Sequence, residues 1–240
     1  MKKYYTTIFD EAKDIEIFVV IPAAGMGNRM KSYGPQSLIK INGETLIDRQ
    51  ISLIQGIFPK AKIAIISGFM SEKIMNSVPD SIMNLENPMY YNTNVIKSIS
   101  VALRANQDCK NLLVVLGDLY FNSHAISKIN LKRSSLTLSD VMSNEEVGCI
   151  VDANNNVSNL MYDLPKKWSQ IAYFKGKELN LFKKYALSKN NNTKYMFESI
   201  NYILENNGKM EGVYSPDIIS YDIDTPKDLR YIREKYENSV

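Results

Sequence analysis

The chain has 240 residues, 45% of them hydrophobic and 23% charged, with a formal net charge of +3. This is enough apolar material for one well-buried domain, and the scattered lysines, such as Lys31, Lys40, Lys60 and Lys62, do not demand a nucleic-acid groove. Two well-separated cysteines, Cys109 and Cys149, and a single histidine, His124, argue against a disulfide framework, a Cys/His metal cluster and most histidine-dependent triads.

Residues 1–15 precede the first strand and read as an arm that packs on the body or on the neighbouring subunit of a homodimer. Met1-Lys2-Lys3 is followed by Tyr4-Tyr5-Thr6-Thr7, which is not a signal peptide, and no apolar run approaches membrane-spanning length. A cytoplasmic protein with neither membrane nor nucleic acid as partner is expected. β-Branched runs predict strands at 16–21, 61–67, 81–86 and 111–116, with helical patterns at 45–56, 71–76 and 94–106 between them. That alternation predicts an α/β fold, a Rossmann-like, mostly parallel sheet flanked by helices. Leu112-Leu113-Val114-Val115-Leu116 is wholly apolar, as in a strand buried on both faces. The second half changes character. Short strands at 134–139, 146–152, 157–162 and 168–174 predict a small antiparallel extension over about 134–175. Helices follow at 176–187 and 195–206, then a strand near 218–222. Thr225 is a good N-cap and Pro226 suits the first turn of a last helix. One domain over 1–240 is expected.

The functional signal is densest after the first strand. Ile17-Phe18-Val19-Val20-Ile21-Pro22 opens into Ala23-Ala24-Gly25-Met26-Gly27-Asn28-Arg29-Met30. Glycines permit positive φ and close approach, successive amides make an anion-binding nest, and Arg29 adds a fixed charge. The loop is not a Walker A sequence, and Met30 stands where a dinucleotide fingerprint would have its third glycine. Asp118, in Gly117-Asp118, follows a buried strand. Ligands of open α/β sheets bind at the carboxyl ends of strands, so it points at a substrate. Asp222 and Asp224 are two apart on a strand and so share a face.

Ala23 to Met30, continued by Pro35, Leu38, Gly43, Leu46 and Ile47, resembles the signature of nucleotidyltransferases that activate phosphorylated small molecules. These are the sugar-1-phosphate nucleotidyltransferases and the phosphocholine cytidylyltransferases. Gly117-Asp118 and residues 222–229 extend the resemblance. It implies a nucleotide-diphospho-sugar transferase-like fold and Mg²⁺ held by Asp118 and Asp224, with Asp222 as helper. It also implies attack of an acceptor phosphate on the α-phosphorus of a nucleoside triphosphate, with pyrophosphate leaving. The nucleophile is already ionised, so positioning and charge neutralisation would suffice. Ala23, Ala24, Gly25, Met26 and Gly27 would hold the triphosphate with Arg29.

One departure stands out. The family places Lys directly after the proline, and here it is Gln36. Gln36 donates a hydrogen bond but brings no charge. Either Lys31 or Lys40 takes over, or the reaction is slower, or the chain binds without turning over. Ile66-Ser67-Gly68-Phe69 with Glu72, Asn87-Pro88, and the helix opening with Asn94 and Ser98 resemble the small cytidylyltransferases. This implies CTP, with Gly68, Asn87, Asn94 and Ser98 at the nucleotide. Trp168, Tyr173 and Glu198 are the candidates for the acceptor, which is phosphocholine, a phosphorylated amino acid such as phosphoglutamine, or a sugar phosphate. The resemblance points to a head group for capsule or another surface polymer. The rivals are a sugar-1-phosphate uridylyl- or thymidylyltransferase and a non-catalytic nucleotide binder.

Overall fold

The computed structural model describes residues 12–140 and 146–237, without the side chain of Lys31. Most of the expected arm, residues 1–11, thus lies outside the described residues. Of its remainder, Ala12 is buried in the core and Asp14 pairs with Lys60 at 2.7 Å.

In chain order the elements are β1 (Phe18–Pro22), the short hairpin β2 (Lys40–Ile41) and β3 (Glu44–Thr45), α1 (Leu46–Ile57), β4 (Lys62–Ser67), α2 (Ser71–Met75), β5 (Met83–Glu86), α3 (Val95–Ala105) and β6 (Asn111–Val115). The second half continues with β7 (Leu119–Phe121), α4 (His124–Ser127), β8 (Ser135–Ser139), β9 (Val147–Val151), β10 (Val157–Tyr162) and β11 (Lys166–Lys175). It ends with α5 (Gly176–Ala186), α6 (Met196–Glu205), β12 (Glu211–Tyr214), β13 (Ser220–Asp222) and α7 (Pro226–Tyr236).

The large sheet runs β10-β9-β11-β6-β1-β4-β5, with β8 also on β11 and β12 beside β8. Strands β5, β4, β1 and β6 are parallel, joined by helical crossovers. Strand β11 lies antiparallel to β6, and β8, β9 and β10 carry the antiparallel part onward. The expected extension is therefore a continuation of the main sheet.

Period-two alternation explains why both faces are covered. Val20, Ala64 and Val114 face one way and pack on α3, α5 and α6 through Ile99, Phe182 and Ile200. Val19, Ile65 and Val115 face the other way and pack on α1 and α4 through Ile51, Ile54 and Ile126. A third, smaller cluster joins Met30, Ile39 and Leu46 to Ile223, Leu229 and Ile232. It clamps the segment after β1 against α7, and so brings chain separated by about two hundred positions to one place. No helix among the described residues is long and apolar enough to cross a membrane.

Candidate functional site

The glycine loop is fixed at its root by the neighbouring strand ends. Ala23 N donates to Ile66 O at 2.8 Å, Phe69 N to Ala24 O at 3.1 Å and Gly117 N to Pro22 O at 3.1 Å. A Cβ at Gly117 would stand 2.9 Å from Ala23 Cβ, so only glycine lets the β6 end lie this close to the loop. Gly68 stands against Ala24 and Tyr90 from the other side. Ala23, Ala24 and Gly25 line a cleft of about 990 Å³, the size of a site for a nucleotide plus a small second substrate. Met26 and Gly27 form the bend beyond it. Met30 anchors the loop with no exposed surface, and Arg29 reaches outward to Asp224 Oδ2 at 3.1 Å.

Three carboxylates meet at the cleft floor. Strand β7 pairs with β13 so that Leu119 faces Asp222, and Ile223 N donates to Asp118 O at 3.1 Å. Asp118, Asp222 and Asp224 all line the cleft. Asp118 Oδ1 and Asp222 Oδ1 are buried oxygens that accept no hydrogen bond. Burial, then the charges of Asp222 and Asp224, push the Asp118 carboxyl up to about 7. Burial pushes Asp222 up to about 6; Lys167 opposes the rise, and Glu146 and Asp224 add to it. An oxygen as poorly compensated as Asp118 Oδ1 suits a hard cation. Among the described residues no group of three such side chains forms a metal cage by itself. The carboxylates are a partial donor set of the kind that phosphate oxygens complete.

Gln36 is a brace. Its Nε2 donates to Ile223 O at 2.9 Å, and its side chain occupies the space where Gly27, at φ +52°, lacks a Cβ. It ties the bend of the glycine loop to the segment between Asp222 and Asp224; β13 ends at Asp222, so Asp224 stands beyond the strand that was expected to carry both. Lys40 is exposed on β2 and does not line the cleft, so it does not supply the charge missing at position 36. The side chain of Lys31 lies outside the described part.

Asn87, Asn94 and Ser98 line the cleft at the start of α3, and each also has a structural partner. Asn87 is 1% exposed and donates from Nδ2 to Thr93 Oγ1 and Ser98 Oγ, both at 3.2 Å. Asn94 is the N-cap of α3, its Oδ1 accepting from Val95 N at 2.8 Å.

Of the acceptor candidates, Trp168 lines the cleft, whereas Tyr173 and Glu198 do not. Trp168 borders the cleft but is buried, its Nε1 donating to Ile171 O at 3.1 Å. Tyr173 is not in the cleft at all. Strand β11 runs antiparallel to β6, so its first residues lie at the cleft and its later ones run away from it. Tyr173 pairs with Leu113, has no exposed surface, and its hydroxyl bonds Asn111 Oδ1 at 2.8 Å. Glu198 also lies outside the lining. It closes the first turn of α6, accepting from Tyr195 N at 2.8 Å and pairing with Lys194 at 2.7 Å. The aromatic surface at that rim comes instead from Tyr162, Tyr195 and Phe197, with the Tyr162 and Phe197 rings 5.6 Å apart.

Sequence reasoning missed Glu146, Lys167 and Gln170. The Lys167 ammonium is ion-paired with Glu146 and stands 3.6 Å from Asp222 Oδ1. The Gln170 amide donates to Asp222 Oδ2. The expected strand began at Trp168, which left Lys167 in a loop. A lysine beside Trp168 in a strand buried on both faces was the available signal.

The sequence profile of the MobA-like NTP transferase domain matches residues 19–140. A bifunctional GlmU protein of Buchnera aphidicola (subsp. Acyrthosiphon pisum) is 31% identical over 120 residues. That match covers 49% of this chain and 24% of the GlmU protein, so the chain spans about a quarter of the length of this relative. The CTP:phosphocholine cytidylyltransferase from Streptococcus pneumoniae is 18% identical, with a TM-score of 0.72 over 92% of this chain and 99% of that one. A putative glucose-1-phosphate thymidylyltransferase from Bacillus anthracis is 13% identical, with a TM-score of 0.75 over 93% of this chain and 96% of that one. At such identities the two structures speak for the fold, which is that of the nucleotide-diphospho-sugar transferases.

Proposed function

Because the chain belongs to the family of MobA-like NTP transferase domains, we propose that it transfers a nucleotidyl group to a small phosphorylated acceptor and releases pyrophosphate. Our reading of the donor is CTP. The observation that carries the proposal is the convergence of the glycine loop, Arg29 and the carboxylates of Asp118, Asp222 and Asp224 on one cleft.

The division of labour follows from position. The amides after β1 face the triphosphate, and Arg29 exchanges Asp224 for phosphate oxygens. Asp118 and Asp224 would hold Mg²⁺, with Asp222 beside them. The fit rests on the buried Oδ1 of Asp118, which has no hydrogen-bond partner, and on an all-oxygen donor set. When bound, the ion supplies charge neutralisation on the triphosphate. No general base is needed, since the acceptor phosphate is ionised at neutral pH. The choice of CTP rests on the resemblance around Gly68, Asn87, Asn94 and Ser98, three of which line the cleft. At the far rim, Tyr162, Tyr195 and Phe197 stand with Asp163 and Glu146. This set suits an acceptor whose other end is cationic or zwitterionic, such as phosphocholine. A CDP-activated head group for a surface polymer, made in the cytoplasm, is the product this reading gives. Gln36, engaged with Ile223 O and uncharged, favours one second reading, a nucleotide binder without turnover.

The test is Mg²⁺-dependent pyrophosphate release, with each nucleoside triphosphate run against phosphocholine, phosphoethanolamine, phosphoglutamine and sugar 1-phosphates. Release with CTP and one acceptor, lost in Asp118→Ala, supports the proposal. Release only with UTP or dTTP and a sugar 1-phosphate replaces cytidylyl by the rival transfer. Silence across the panel while CTP still binds favours the binder.

A further inference from the structure

Nucleotidyl transfer brings two negatively charged phosphates into bonding distance, so the site needs positive charge between them as well as on the triphosphate. Position 36 does not provide it, and Lys40 is off the cleft. Lys167 is a better-placed cation. It lines the cleft and is 2% exposed, although lysine is among the residues least often buried.

The surroundings of Lys167 are built from three separate pieces of chain. Glu146 comes from the segment before β9 and forms an ion pair with the ammonium. Asp222 comes from the end of β13, 3.6 Å away. Gln170, from the same strand as Lys167, donates to the other oxygen of Asp222. Lys167 and Gln170 both reach Asp222 because β11 is kinked between them. From Trp168 to Ala172 it advances four residues while its partner β8 advances two, and Gln170 sits at φ +55°. Such a left-handed conformation in a non-glycine residue is strained, and here the strain aims two side chains at one carboxylate. Glu146 takes one of the three ammonium donors, and Asp222 Oδ1 at 3.6 Å lies beyond hydrogen-bond distance, so the ammonium keeps donors for an anion in the cleft.

Arg29 and Lys167 divide by location. Arg29, on the glycine loop, pairs with Asp224. Lys167, on the antiparallel side of the sheet with the rim aromatics, pairs with Asp222.

We propose that Lys167 is a phosphate-binding catalytic residue that grips the acceptor's phosphate and supplies, from β11, the positive charge that position 36 lacks. The proposal rests on the nucleotidyl-transfer reading. In the step, an oxygen of the acceptor phosphate forms a bond to the α-phosphorus. The bond from that phosphorus to the bridging oxygen breaks, and its electron pair leaves with pyrophosphate. Lys167 donates hydrogen bonds throughout and keeps its proton.

The experiment uses inorganic phosphate as the probe of the acceptor subsite. Its affinity is measured by calorimetry in the presence of Mg²⁺ and a CTP analogue that cannot be cleaved between the α- and β-phosphates. Lys167→Arg and Lys167→Met are compared with the wild type. The double variant Lys167→Met/Glu146→Gln is added because it removes one charge of each sign and leaves no extra buried carboxylate. The expected result is a loss of phosphate affinity of about tenfold to a hundredfold in the Met variants, as for one charge-assisted hydrogen bond. Lys167→Arg should retain most of the affinity, and the analogue should bind all four proteins alike. Unchanged phosphate affinity in the double variant overturns the proposal and leaves nucleotidyl transfer standing. So does an equal loss of nucleotide affinity, which would put Lys167 on the triphosphate side. If the nucleotide with Mg²⁺ fails to bind the wild type, the nucleotidyl-transfer reading falls, and this proposal falls with it.

Discussion

Asp118 combines a turn position that any sequence could have with an environment that few structures would tolerate without a ligand. Its carboxyl is raised to about 7 by burial and by Asp222 and Asp224, whereas in the unfolded chain it would titrate near 3.8. A raised carboxylate contributes stability that is complete below the unfolded value and is lost as pH climbs through the folded one. Without divalent cation, Asp118→Asn should therefore raise the melting temperature at pH 8, and the gain should shrink steadily below pH 7 and vanish only near pH 4. Thermal unfolding across that range checks it; a gain that grows toward acid pH would contradict the stated surroundings. Gln36→Ala tests the brace. It deprives the half-buried carbonyl of Ile223 of its donor and should cost about 1–2 kcal/mol by denaturant unfolding. A neutral outcome would mean that the 2.9 Å bond holds nothing together.

At the scale of elements, legibility in the sequence followed contiguity. The strand, loop and arginine from Phe18 to Arg29 are one local statement, and the structure keeps them together. Strands β7 and β12, of three and four residues, are too short for alternation to show, yet β7 is what holds Asp118 beside Asp222. The misplacement of Tyr173 has a different origin. Trp168 and Tyr173 are five apart, so a period of two already puts them on opposite faces, one in each core. The direction of β11, which decides which of its ends meets the cleft, is a long-range fact that no local pattern carries. The same holds for Lys167, whose partners lie 21 and 55 positions away in sequence. Two predictions belong here. Thr225 caps α7, with Asp228 completing the capping box, so Thr225→Ala should cost about 1 kcal/mol of stability. Gly117→Val would drive a branched side chain into Ala23 and Pro22 O and should push the loop out of place. Nucleotide binding should then fall at least tenfold while far-ultraviolet circular dichroism stays that of the wild type; unimpaired binding would show that the loop's seat does not depend on that contact.

Across the whole molecule, the two halves carry different parts of the site. Residues 19–140, matched by the family profile, give the glycine loop, α3 and Asp118. The second half returns Asp222 and Asp224 to the same floor and adds Lys167, Gln170 and the aromatic rim. The third cluster, from Met30 to Ile232, is the hinge-pin of this arrangement, because it packs the glycine loop's anchor directly on α7. Its apolar residues are spread over two hundred positions, so composition announces a core but not this junction. The central proposal is that these distant segments form a single metal-dependent nucleotide site. It is tested most directly by titrating CTP into the wild type and Asp118→Asn, each with and without Mg²⁺. Mg²⁺ should tighten binding to the wild type at least tenfold and leave the variant almost unaffected. Equal affinity with and without the ion in the wild type, or an undiminished effect of the ion in Asp118→Asn, would contradict it.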